Sequence, residues 1–165
     1  MTIRNDLEIT FICVAFIWLV YFVNMLLPFD LRSYGIQPRS IHGLQGLIFS
    51  PFLHSGVKHL FSNSIALAPL LFFSLAYGRK SALKAIIFIA LIGGAGTWLF
   101  GGSHTVHIGS SGIIFGLIGY LMAVGLFTRS LSALLVSLVV VFYYGWVLFS
   151  FFIVLPGVSW TSTQK

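Results

Sequence analysis

Acidic residues are nearly missing from this 165-residue chain: Asp6, Glu8 and Asp30 are the only three. That scarcity argues against a carboxylate-based protease, and equally against a proton relay built on intramembrane acids. Charged residues of both signs make up 7% of the chain, where a soluble domain carries about 25%. Cysteine occurs once, as Cys13, so no intramolecular disulfide can form and the redox compartment stays open. No His-Glu-x-x-His metal motif is present. His104 and His107 are too few to hold a metal without carboxylates nearby. The Gly-x-Ser-x-Gly elbow of soluble hydrolases also fails, because position 113 is Ile, and no strand precedes it.

What the chain has in excess is apolar sequence. It is 58% hydrophobic and 16% aromatic, with a mean hydropathy of +1.03. Apolar runs of about 20 residues match the thickness of a hydrocarbon core. Nine Lys and Arg against three acids give a formal charge of +6. These bases are scattered between apolar runs, which suits topology-setting loops and not a nucleic-acid surface. The reading is an all-α, polytopic membrane helix bundle in a lipid bilayer, with no nucleic-acid partner.

Five spans are expected: Ile9–Leu27, ended by Pro28; Val57–Tyr77, closed by Gly78; Ala85–Phe100, before Gly101 and Gly102; Ser111–Phe127; and Leu131–Leu155, before Pro156 and Gly157. Backbone in lipid must satisfy its own hydrogen bonds, so each is a helix. The first is too long for a signal-peptide core and lacks a small-x-small cleavage site, so it is expected to stay in the membrane. The linkers 78–84, 101–110 and 128–130 are short. The linker from Pro28 to Gly56 is long, with three prolines and many aromatic and aliphatic residues, and it is expected to pack at the membrane surface. Arg79, Lys80, Lys84 and Arg129 lie in alternate short loops, while 101–110 carries no Lys or Arg. The positive-inside rule then puts the N-terminus inside, and the long loop and 101–110 outside.

Polar groups inside spans default to functional hypotheses. The second span opens HSGVKHLFSNS, in which His59 and Asn63 are four apart and share one helix face. They could serve as hydrogen-bonding glue between helices, or as part of a site. The fourth span opens GSSGIIFG, Gly109 to Gly116. Ser110 or Ser111 could simply cap the helix. Ser111 could also supply an attacking oxygen beside its own backbone N–H, at a helix end that favours negative charge. Ser110 as cap and Ser111 as nucleophile are compatible. Gly112, Gly116 and Gly119 recur at i, i+4 and i+7, a face expected to let a neighbouring helix approach closely.

Together these residues resemble the rhomboid family of intramembrane serine proteases. The match is the His-x4-His-x3-Asn spacing of His54, His59 and Asn63, followed by Gly109-x-Ser111-Gly112-x-x-x-Gly116. GIQPRS…GLIFSPFLHSG also resembles the first loop of bacterial members, and the likeness runs from about Tyr34 to Trp160. It implies a bundle of at least six spans around a water-accessible pocket open to the outer side. Ser111 would be the nucleophile. His59 and Asn63, with the Ser111 N–H, would form the oxyanion hole, supported by His54, Gly109, Gly112 and Gly116. No metal or cofactor would be needed. The partners would be transmembrane protein substrates, cut where a helix unwinds near small or helix-breaking residues. A bacterial inner membrane is the expected location.

One position departs from the pattern. Rhomboids carry a general-base histidine after PG-x-SW-x-x. Here PGVSW, Pro156 to Trp160, is followed by TSTQK, and Thr163 stands where the histidine is expected. The sequence reading is one rhomboid-like domain over 1–165, with five spans of an expected six. It is expected to be incomplete at the C-terminus, without a general base, and weak or inactive as a protease. A non-catalytic rhomboid-like protein that binds membrane helices is the alternative. A small transporter is disfavoured by the lack of acids and of paired broken helices within spans.

Overall fold

The computed structural model describes residues 3–128 and 130–152, with side chains to Gly145. It is all-helical: α1 (Ile3–Leu26), the single turn α2 (Gly46–Phe49), α3 (Val57–Phe100), α4 (Ser111–Phe127) and α5 (Leu131–Phe152). Three short 3-10 turns fill the long loop between α1 and α3. The end of the expected fifth span to Leu155, the Pro156–Trp160 motif, Thr163 and Arg129 lie outside the described residues.

The second and third expected spans are joined in a way the sequence reading missed. We expected a loop over 78–84. Instead helix continues on both sides of Gly78, which alone is non-helical at φ 153° and ψ 103°. Glycine reaches that backbone region without the strain a Cβ would impose, so one residue replaces a seven-residue loop. The two arms, 57–77 and 79–100, reverse direction there. A straight helix of 44 residues would be about 66 Å long, yet both ends of α3 meet the same loop. Ser55 and His59 lie at one end beside Arg32. At the other end, Trp98 Nε1 donates to Ser40 O at 2.8 Å and Arg39 Nη1 donates to Leu99 O and Gly101 O. Counting α3 as two arms and leaving out the single turn α2, five helical arms form the bundle among the described residues.

α1 starts at Ile3, six residues before the expected Ile9, so Asp6 falls inside the helix and not before it. Its carboxylate takes a hydrogen bond from Arg79 Nε at 2.6 Å. That pair ties the start of α1 to the Gly78 turn, and α1 therefore runs antiparallel to the first arm of α3. Midway, Trp18 Nε1 donates to Ser64 Oγ at 3.0 Å.

The core is built on Leu60, Leu67, Leu70, Leu71 and Leu75 of α3 against Ile114, Leu117, Ile118 and Leu121 of α4. Large side chains such as Phe11, Phe61, Phe88 and Phe142 point outward, while His54, Asn63, Ser64, Ser74, Ser110 and Ser137 are buried. Apolar groups outside and hydroxyls inside are the arrangement for a lipid solvent, where exposed apolar area costs nothing and polar groups must find partners. The protein is an integral membrane protein.

The glycine face of α4 is only partly used. Gly116 lies hard against the Ile89 side chain of α3's second arm, whereas Gly112 and Gly119 face open space. The expected three-glycine seam is thus a single close approach, at Gly116. A second approach, unread in the sequence, sets Gly125 of α4 against Ser137 and the Ala133 carbonyl of α5. Gly116→Val should lower stability by about 1–3 kcal/mol through overpacking. Gly119→Ala should be neutral or stabilise by up to about 1 kcal/mol, the helix-propensity gain. Denaturant titration in detergent micelles separates the two outcomes.

Candidate active site

The site forms where the long loop, the start of α3 and the approach to α4 converge. Gly109 is its pivot. Its φ of 113° lies in the region that favours glycine, and its N–H donates to Ser50 O at 2.8 Å. A Cβ there would fall 2.7 Å from His59 Cε1, 2.9 Å from His59 Nε2 and 3.3 Å from Asn63 Nδ2. His59 and Asn63, one turn apart on α3, therefore both bear on the backbone two residues before Ser111.

Ser110 occupies the N-cap position of α4, and its carbonyl accepts the first helical bond from Ile114 N–H at 3.0 Å. Its side chain does not cap: no side-chain cap bond forms, and Oγ is buried without a partner among the described residues. The expected capping role belongs to its backbone alone, because the residue is turned inward and is only 1% exposed. Ser111 begins the helix and is exposed. At that first turn the N–H groups have no intrahelical acceptor and the helix dipole is positive.

Around this point sit polar atoms with no partner among the described residues. Asn63 is 6% exposed and its Nδ2 makes no hydrogen bond among the described residues. His54 is 2% exposed, with Nδ1 3.4 Å from Phe52 O and Nε2 without a partner among the described residues. Buried polar atoms without a partner are costly, and their clustering here marks this region as a candidate site. The His54 and His59 rings meet edge to face at 5.3 Å. Burial first, and the neighbouring His59 second, push the His54 pKa down to about 4. His54 is therefore a neutral imidazole at pH 7, and it adds no positive charge beside His59.

His107 is engaged elsewhere. It forms an isolated antiparallel bridge with Ile36, its Nε2 lies 2.9 Å from Thr105 Oγ1, and burial lowers its pKa. His104 is exposed at a φ of 63°. These rings fasten and edge the loop before α4.

Three contributors to the site escaped sequence reasoning. Ser50 anchors Gly109 through its carbonyl. Ser55 places Oγ 3.1 Å from His59 Nδ1. Asp30 and Arg32 pair at 2.8 Å, and Arg32 reaches the Ser55 carbonyl. Only Ser55 left a readable signal, since it stands four residues before His59, where a helix start would place the two together.

The chain matches the Rhomboid domain family over residues 42–162. Proteins described as uncharacterized from Mycobacterium bovis and Mycobacterium tuberculosis are each 41% identical over 155 residues, covering 89% of this chain and 65% of their own. One from Mycobacterium leprae, likewise described as uncharacterized, is 36% identical over 154 residues, covering 88% and 61%. The chain thus spans a little under two thirds of the length of these relatives. No solved structure gives a significant match.

Proposed function

The chain belongs to the Rhomboid family, and on that premise we propose that its site carries out acyl transfer to Ser111 within the membrane, as a serine endopeptidase that cuts transmembrane segments of other proteins. The observation that carries this reading is the convergence of His59 and Asn63 on Gly109, at the start of the helix that Ser111 opens. Attack of Ser111 Oγ on a peptide carbonyl would put negative charge on the carbonyl oxygen. The Ser111 N–H, the Asn63 amide and an N–H of His59 are the donors that would receive it. In a water-poor site each such donor contributes about 2.7–4 kcal/mol to the transition state.

A substrate helix would reach Ser111 sideways from the lipid. An apolar groove of about 460 Å³ between the first arm of α3 and α5, lined by Ile65, Pro69, Phe73, Val139, Val140 and Tyr143, suits the flank of such a helix. Unwinding near the site would then present an extended peptide. The mycobacterial relatives favour a bacterial cytoplasmic membrane, and the arginine and lysine pattern favours the Ser111 end facing outward.

Where the family resemblance calls for the general base, the sequence has Thr163, whose hydroxyl takes no proton at neutral pH. Serine without a base is a poor nucleophile, so Ser111 is expected to acylate slowly, yet measurably above the heat-denatured background on long incubation with excess probe. This position favours a second reading, in which the chain binds membrane helices without cutting them. Reaction of the detergent-solubilised chain with a fluorophosphonate separates the two. Labelling that maps to Ser111 and vanishes in Ser111→Ala supports the hydrolase reading. Labelling unchanged in Ser111→Ala, or none above a heat-denatured control, sinks it in favour of helix binding.

A further inference from the structure

We propose that Ser55 is a positioning residue that fixes the His59 tautomer, donating its hydroxyl proton to Nδ1 so that Nε2 carries the N–H that faces the site. The inference rests on the acyl-transfer reading for its purpose, and on the local geometry for its substance.

Neutral imidazole has one N–H and one lone pair, and the hydrogen bond made by one ring nitrogen decides which is which. His59 Nδ1 has Ser55 Oγ 3.1 Å away. His59 Nε2 lies on the opposite side of the ring, on the flank that would meet a Gly109 Cβ at 2.9 Å. If Nδ1 held the proton, Nε2 would present a lone pair toward the site and repel a developing oxyanion. With the Ser55 hydroxyl as donor, Nε2–H is presented instead.

The groups around Ser55 hold its backbone and leave the hydroxyl available as the donor. Ser55 lies in a polar cavity of about 430 Å³ between the end of α1 and the long loop, lined also by Tyr21, Asn24, Asp30, Arg32 and His54. Arg32 Nη1 donates to the Ser55 carbonyl at 3.4 Å. The guanidinium is held in turn by Asp30, which accepts from Arg32 Nε at 2.8 and 2.9 Å. Hydrogen bonding to Arg32 draws the Asp30 pKa down to about 2, so the pair stays charged. The backbone of Ser55 is thus pinned from the loop side, while its hydroxyl is free to turn toward His59. His54, neutral and edge-on to His59, adds no competing charge.

The test reads the tautomer directly. The chain is labelled with 15N-histidine in detergent micelles at about pH 8, where imidazole of ordinary basicity is neutral. The His59 ring signals are assigned by their loss in His59→Gln. The expected parent spectrum has Nδ1 at the lone-pair type of shift and Nε2 at the N–H type. Ser55→Ala should move both toward the midpoint of a tautomer mixture, and Ser55→Thr should restore the parent shifts. The Ser111 acylation rate should fall about fivefold in Ser55→Ala, the scale of one neutral hydrogen bond, and recover in Ser55→Thr. A parent Nδ1–H tautomer, or parent shifts in Ser55→Ala, would overturn the inference. Because the shifts do not depend on acylation, absence of Ser111 labelling in the parent would sink the acyl-transfer reading alone. Unchanged shifts in Ser55→Ala would sink only the role of Ser55.

Discussion

Gly109→Ala is expected to cut the rate of Ser111 acylation by at least about 100-fold, the scale of losing one oxyanion donor. Two effects act together. The backbone at 109 has a φ of 113°, which costs a Cβ-bearing residue about 1–2 kcal/mol. The new methyl would also sit 2.7 Å from His59 Cε1, closer than nonbonded atoms tolerate, and 3.3 Å from Asn63 Nδ2, a tight contact. Relief comes from turning His59 away or from shifting the 109–111 backbone. Either displaces a proposed oxyanion donor relative to Ser111, and a 1 Å misplacement is enough to cost about 100-fold. The helices themselves are untouched, so the thermal unfolding midpoint in detergent should shift far less than the rate. Fluorophosphonate labelling measured beside that midpoint checks the pair of outcomes. A Gly109→Ala chain that labels at the parent rate would show that His59 and Asn63 do not act through this contact.

Asp6→Ala is expected to give the largest stability loss of any single polar truncation outside the site. The Asp6 side chain is 9% exposed and its Arg79 partner 22%. Removing one member of a buried pair strands the other charge, at a cost of about 3–5 kcal/mol in full burial. The partial exposure of Arg79 brings the expectation to about 2–3 kcal/mol, since its head can turn toward water. Arg79 Nη2 already lacks a partner among the described residues, so the remaining network cannot absorb the loss. The double replacement Asp6→Leu with Arg79→Met should recover most of the stability, because a packed apolar pair avoids desolvating two charges. Chemical denaturation of the four chains of that cycle in one detergent gives the coupling energy. Additive losses would show that the pair contributes nothing as a pair.

The parts that were legible in the sequence are those governed by short-range chemistry. Apolar runs long enough for a bilayer defined the helices, and the i, i+4 spacing put His59 and Asn63 on one face. Pro28 and Gly101 ended helices close to where the structure ends them. The errors have a common origin. Three bases at 79, 80 and 84 read as a loop, yet Arg79 is helical and half-buried because Asp6, 73 residues away, gives it a partner. Gly112 and Gly119 repeat on the same face as Gly116, but of the three only Gly116 meets a neighbour, since helix period places residues on a face without saying where a neighbour's side chains fall. Ser110 has a capping residue's identity and position without its side-chain bond, because it faces the interior.

By itself, then, the sequence determined the solvent, the helical arms among the described residues and the order of the candidate site residues along them, all set by hydropathy and helix period. The tertiary structure alone decided which groups meet. Gly109 lies 50 residues from His59 in the chain, and their contact depends on the reversal at Gly78 and on Ser50 anchoring Gly109 from the loop. No local pattern encodes such a contact, because it follows from how separately stable helices pack.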